Sequence, residues 1–202
     1  MTARAEPETS LDRRTAVATL LEGHDDMLVV PGLGSPTWDC AALGDNPLHF
    51  SLWGAMGNAS MIGLGLALAQ PARRVLVLTG DGDMLMGLGS LATIATQAPS
   101  NLALVVLDNE RHGETGMQPT HTAHRTDLAA AAAACGFAET RQVADEAGLR
   151  AALPLVHEAP GPTFLAVKVE ARSLPRVLPP RDGAYLKDRF RAALLGKDAA
   201  RT

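Results

Sequence analysis

Two apolar runs that end on acidic residues constrain this chain more than any other feature: "VLVLTGDGD" from Val75 and "LALVVLDN" from Leu102. Neither run alternates apolar with polar residues, so neither reads as a strand with one wet face. Unbroken Val and Leu over such a length is the pattern of a strand buried on both sides, in a parallel sheet covered by helices. Parallel neighbours need crossover connections, and the flanking sequence supplies helices for them.

The segments "SLDRRTAVATLLEG" and "DMLVVPG" read as a helix with Ser10 as N-cap and Gly23 as stop, followed by a short strand. Residues 36–50, rich in Pro, Asp, Asn and Gly, read as loop. "GNASMIGLGLALAQ" (57–70) is a small-residue helix suited to close packing on a sheet, "RRVLVLTG" a strand, "DMLMGLGSLATIATQ" one helix and "NLALVVLDN" a strand. After an irregular stretch come a helix "DLAAAAAACGF" stopped by Gly136, a helix "EAGLRAALPLVHEA" and a last strand "PTFLAVKVEA". The expected fold is α/β, doubly wound, a mostly parallel sheet with helices on both faces. Residues 1–172 are assigned to this domain. Residues 173–202 are assigned to a Pro-rich extension and an amphipathic helix "AYLKDRFRAALLGK" packed on the domain or on a partner.

At 202 residues and 47% hydrophobic, the chain has material for one sizeable core. A net charge of -4 and 3% aromatic residues argue against a nucleic-acid surface. Cys40 and Cys135 are far apart and form no C-x-x-C pair, so neither a disulfide framework nor a zinc site is expected. With no apolar leader or membrane-length run, the expectation is an unprocessed, soluble, cytoplasmic protein.

Ligands of open α/β sheets bind beyond the carboxyl ends of the strands. Two such ends are polar here, Gly80-Asp81-Gly82-Asp83 and Asp108-Asn109. Glycines let backbone amides approach an anion, and a hard divalent cation takes carboxylate, amide and carbonyl oxygens, so together they suit a metal-bridged diphosphate. A dinucleotide fingerprint fails, because Leu85 and Leu68 stand where the two candidate strings need their last glycine, and no P-loop string occurs. The competing reading is a plain strand-to-helix turn with Asp83 as N-cap.

The spacing of "GDGD" and "LDNERHGETGMQ", with Asn109 28 positions after Asp81, resembles the signature of thiamin-diphosphate enzymes. "LWGAMGNASMIGLGLA" upstream is similar to the segment that grips the aminopyrimidine ring in that family's decarboxylases. The nearest resemblance is to the diphosphate-binding domain of sulfopyruvate and phosphonopyruvate decarboxylases, with Met117 where that group often has Gly. The resemblance implies that Asp81, the side-chain oxygen of Asn109 and the backbone carbonyl of Arg111 bind Mg²⁺. It implies that Gly80, Gly82 and Asp83 face the diphosphate of thiamin diphosphate. Gly54 would offer its carbonyl to the aminopyrimidine, and Met56 would wedge beneath the bent cofactor, a plain core Met being the alternative.

The same resemblance implies a 2-oxo acid decarboxylase whose activating Glu lies on a separate pyrimidine-binding domain. A partner α subunit would supply it, in an α2β2 or larger assembly, and this chain alone would be inactive. Gly57, Ala59, Gly63 and Gly65 are candidates for the partner surface or for packing inside the domain. An acetolactate-synthase-like carboligase subunit and a non-catalytic regulatory subunit are the alternatives. His112 and Glu114 are candidate proton carriers beside the reacting carbon; Glu114 equally suits a helix N-terminus. His121 and His124 read as a solvated loop rather than a metal pair, His49 as a strand-capping residue or one at the pocket mouth, and Cys135 and Phe137 as core.

Overall fold

The structure, a computed structural model, describes residues 11–196 and residue 199. The expected Ser10 cap lies outside the described residues. Helix α1 (Arg13–Leu21) starts instead from Asp12, whose carboxylate accepts from the Thr15 amide. There follow β1 (Leu28–Pro31), α2 (Ser35–Ala42), α3 (Ala59–Ala69), β2 (Val75–Gly80), α4 (Asp81–Met86), α5 (Ser90–Gln97) and β3 (Leu102–Asp108). A hairpin of β4 (Arg111–His112) and β5 (Gln118–Pro119) precedes α6 (Leu128–Cys135), β6 (Glu139–Val143), α7 (Glu146–His157), β7 (Thr163–Lys168) and α8 (Gly183–Leu195).

The main sheet has 5 strands in the order β1-β2-β3-β7-β6, every neighbour parallel, with helices on both faces. Segment 48–52 runs beside β1, bonding Leu48 O and the Phe50 amide to Val29 and the Leu52 amide to Pro31 O, so that edge is not left bare. Successive residues of the central strands feed opposite cores. Val75, Val77, Leu102, Leu104 and Val106 pack with Leu64, Leu91, Ile94 and Leu128, whereas Leu76, Leu78, Ala103, Val105 and Leu107 pack with Val17, Leu20, Leu149 and Val156. Each large side chain so buried contributes about 1.5–3 kcal/mol, which is why no polar residue interrupts these runs. Phe190 of α8 joins the first core and lies 5.4 Å from the Phe50 ring.

Four local readings are corrected. The stretch read as loop over 36–50 begins with helix α2. Pro36 fits its first turn, and its Asp39, fully buried, is held by Arg13 and Arg14 of α1. The helix expected from Asp83 to Gln97 is two helices, because a Cβ on Gly87 would stand 2.1 Å from Gly57 O and the chain breaks there to let the two backbones meet. Strand β6 was not expected: "ETRQV" pairs only with β7 at the sheet edge and leaves most of its side chains in water, so it carries no apolar signal. Asp83 also does not cap a helix; Gly80 occupies that position for α4.

Helix α3 shows what its small residues do. A Cβ on Gly63 would stand 2.2 Å from Val77 Cγ2, while Gly65, two residues on and so on the opposite side of the same helix, faces open space. Ala59 is buried as well. Gly63→Ala is expected to destabilise the chain by about 1–3 kcal/mol through overpacking. Gly65→Ala is expected to stabilise it by about 0.5–1 kcal/mol through helix propensity. Urea denaturation of the two variants checks this, and equal effects would remove the packing role of Gly63.

Candidate active site

The carboxyl ends of β2 and β3 lie side by side, Gly80 opposite Leu107, so Asp81 and Asp108 emerge as neighbours at the centre of the sheet. Both are 2% exposed. Two threonines from the segment after β5 reach in to hold them. Thr120 Oγ1 donates to Asp81 Oδ2 at 2.5 Å, Thr122 Oγ1 donates to Asp108 Oδ1 at 2.7 Å, and the two hydroxyls are 2.8 Å apart. Lys168, at the end of β7, completes the cluster, 2.8 Å from Asp108 Oδ2 and 2.6 Å from Glu110 Oε1.

Among the described side chains that meet in this cluster, Asp81, Asp108 and Glu110 gather around the ammonium of Lys168. Burial, and next the charge of Asp108, push Asp81 up to about 6, against the pull of the two threonine hydroxyls. Burial acts against the charged form of Lys168, but its hydrogen bonds to Asp108 and Glu110 outweigh that and raise it. A divalent cation beside Asp81 would offset its repulsion with Asp108, so the donor set fits such an ion. Among the described residues no group of three or more His, Cys, Asp and Glu side chains could hold a metal by itself. Amide and carbonyl oxygens would therefore have to share the coordination, as hard cations accept. Asn109 stands next to Asp108 with its side-chain oxygen turned to the Arg111 amide at 3.0 Å.

Asp83 has a different task. Its carboxylate accepts from Thr79 Oγ1 and from the Gly57 amide, tying the glycine-rich segment 54–57 to the turn after β2. Ala55, with φ 61°, and Gly57, with φ 84°, give that segment its shape. It brings Met56 to Gly82: a Cβ on Gly82 would lie 3.8 Å from the Met56 methyl and 2.8 Å from His112 Nδ1. Only glycine fits between them. Met56 is 39% exposed and is not a core residue. Gly54 and Gly80 face open space.

His112 is thus brought to Gly82 by hairpin β4–β5. Glu114, in the turn of that hairpin, lies beside Gly34, the N-cap of α2: a Cβ there would meet its Oε1 at 3.3 Å. The other histidines stay apart. His121 and His124 are exposed in a 3-10 turn, and what matters in "PTHTAH" is the threonine pair between and before them, which spacing alone did not single out. His49 bridges to Val29 on the sheet edge and, among Arg189, Asp45 and Asp25, is pushed down to about 4, chiefly by burial. Phe137 is core, and Cys135 packs partly buried against it.

A family model described as "Thiamine pyrophosphate enzyme, C-terminal TPP binding domain" matches residues 37–167, which contain every residue of this cluster except Lys168. The chain belongs to this family. This thiamin-diphosphate-binding domain is 44% identical over 160 residues to the sulfopyruvate decarboxylase subunit beta of Methanothermobacter thermautotrophicus, covering 79% of this chain and 83% of that subunit. It is 40% identical over 197 residues to phosphonopyruvate decarboxylase of Streptomyces viridochromogenes, covering 93% of this chain and 48% of that enzyme, about half its length. Among solved structures, benzoylformate decarboxylase from Polynucleobacter necessarius shares the fold, with TM-score 0.69 and 20% identity over 87% of this chain and 36% of that one.

Asp81 also predicts how the metal-free domain responds to pH. Its carboxyl is raised in the folded state, so the stability it contributes is full below the unfolded value of 3.8 and is lost as pH rises through about 6. At about 1.4 kcal/mol per pH unit of difference, the loss is about 3 kcal/mol. In chelator-treated buffer, Asp81→Asn is expected to stabilise the chain at pH 7.5 and to leave it little changed at pH 4. Thermal melts at the two pH values test this, and a variant less stable at pH 7.5 would contradict the raised Asp81 carboxyl.

Proposed function

We propose that this chain is the β subunit of a two-chain thiamin-diphosphate-dependent 2-oxo acid decarboxylase acting on a short substrate that ends in a sulfonate or phosphonate. The observation that carries this reading is the 44% identity to a sulfopyruvate decarboxylase β subunit over about four-fifths of both chains. Identity to phosphonopyruvate decarboxylases supports the same substrate class. Bound thiamin diphosphate supplies the nucleophilic carbon and electron sink that this chemistry requires.

In this proposal Asp81, the Asn109 side-chain oxygen and the Arg111 carbonyl hold Mg²⁺. Gly80 and Gly82 leave the room an anion needs, and Asp83 braces the turn. Gly54 and Met56 take the aminopyrimidine side, where the thioether fills an irregular gap. His112 and Glu114 hold and move protons at the reacting centre, a role that the closeness of His112 to Gly82 supports. The activating glutamate comes from a partner subunit with a pyrimidine-binding domain. Met56, Met61, Leu68 and Met86 expose large apolar side chains, which supports a covered surface in the assembly.

The test is to assay the chain alone and with its partner. The pair is expected to release CO₂ and an aldehyde from 2-oxo acid with thiamin diphosphate and Mg²⁺, and the chain alone to release neither. Robust turnover by the isolated chain would refute the divided site. A carboligase has its own support, 30% identity over 127 residues to acetolactate synthase isozyme 1 large subunit of Escherichia coli, 58% of this chain and 22% of that one. A new carbon–carbon bond in the product would favour it.

Met56 separates orientation from anchoring. Met56→Ala in the assembled enzyme is expected to lower kcat about tenfold or more while changing thiamin diphosphate affinity by less than about threefold, because the diphosphate anchor is untouched. Equal losses in both, from steady-state kinetics against cofactor concentration, would place Met56 in cofactor binding only.

A further inference from the structure

The Pro-rich segment 173–182 crosses the same end of the sheet as the cluster. It leaves β7 where the Val169 amide bonds Asp108 O, is held by Arg14 Nη2 on Pro175 O, and is fastened at its far end by Trp53 Nε1 on Pro180 O at 2.8 Å. Two arginines ride on this strap, each laid over a tryptophan: the guanidinium carbon of Arg176 is 4.6 Å from the Trp38 ring centre, and that of Arg181 is 5.0 Å from the Trp53 ring centre. These rings are the chain's only tryptophans.

Stacking on a ring fixes where a guanidinium points without using its N–H groups. Those groups are barely used here. Arg176 meets Glu114 at 3.8 Å, a loose contact between exposed side chains, and Arg181 has no hydrogen-bond partner among the described residues. Their positions are tied to the site. Trp53 directly precedes Gly54, Ala55 and Met56, and Glu114 is two residues from His112. The strap thus presents two oriented, exposed cationic forks, one meeting Glu114 two residues from His112 and the other stacked on the tryptophan that precedes the Gly54–Met56 segment.

We infer that Arg176 and Arg181 read the distal oxyanion of the substrate, the sulfonate or phosphonate at the end remote from the 2-oxo acid group, and so set the preference for doubly anionic substrates. This rests on the decarboxylase reading above. A tetrahedral oxyanion offers several acceptor oxygens, and a planar guanidinium fork donates to two of them at a time. Glu114 marks the direction from which Arg176 accepts an anion.

The assembled enzyme is assayed with 3-sulfopyruvate, 3-phosphonopyruvate and pyruvate. In Arg176→Gln and Arg181→Gln, the ratio of kcat/KM for either doubly anionic substrate to that for pyruvate is expected to fall about 10- to 100-fold. Lysine at either position is expected to recover part of it. A larger effect on the sulfonate or on the phosphonate arm tells which group the pair fits better. An unchanged ratio, or equal losses on all three substrates, would overturn the inference. Should the wild-type assembly decarboxylate no 2-oxo acid, the decarboxylase reading has failed, and the arginines are tested by tryptophan fluorescence with sulfoacetate, phosphonoacetate and acetate. A saturable change with the first two only, lost in both glutamine variants, then supports an oxyanion clamp, and no change in the wild-type assembly overturns it.

Discussion

Two carboxylates buried side by side are the constraint on which this domain depends. Asp81 and Asp108 stand at the ends of adjacent central strands, nearly free of water, where like charges repel and solvation is lost. The fold answers with parts drawn from distant sequence. Thr120 and Thr122 come back from beyond a hairpin to donate to them, and Lys168 arrives at the end of β7. A purely structural turn has no need to collect acids in this way. A cation bound beside them would offset the repulsion that burial creates.

Around that cluster, backbone contacts closer than side chains allow set the shape of the pocket. Gly57 meets Gly87, Gly82 fits between His112 and Met56, and Gly32 packs on Asp83. The Asp83 carboxylate joins these pieces by accepting from both Thr79 and Gly57. The glycine-rich segment and the turn after β2 are therefore tied to each other through one side chain. The strap of 173–182 closes the same face from outside, its prolines keeping it extended and its arginines held by tryptophans.

Much of this was legible in the sequence because burial is a local demand repeated along the chain. Val75–Leu78 and Ala103–Leu107 are apolar at every position since each of their faces packs into a core. Helix α2 and strand β6 were not legible for the opposite reason. The first is held by the ion pairs of Asp39 with Arg13 and Arg14, the second by pairing with β7 at a wet edge, and neither arrangement leaves a periodic apolar trace. The break between α4 and α5 was hidden as well, because it is imposed by Gly57, 30 residues from Gly87.

The sequence by itself determined the doubly wound sheet, the acids at its carboxyl ends and the motif order that places the chain in its family, since each of these depends on residues close together in the chain. Which side chains serve those acids was decided only in three dimensions. Thr120 and Thr122 lie in a segment where the histidines draw notice, and Lys168 ends a strand like any other; Arg176, which meets Glu114 and not those acids, sits in a stretch that reads as linker. Their roles come from the crossovers of the sheet and the return of the hairpin and the strap, which set residues from widely separated parts of the chain within a few ångströms of one another. Hydrogen bonds and ion pairs of that kind depend on distance in space, and spacing along the chain carries no record of it.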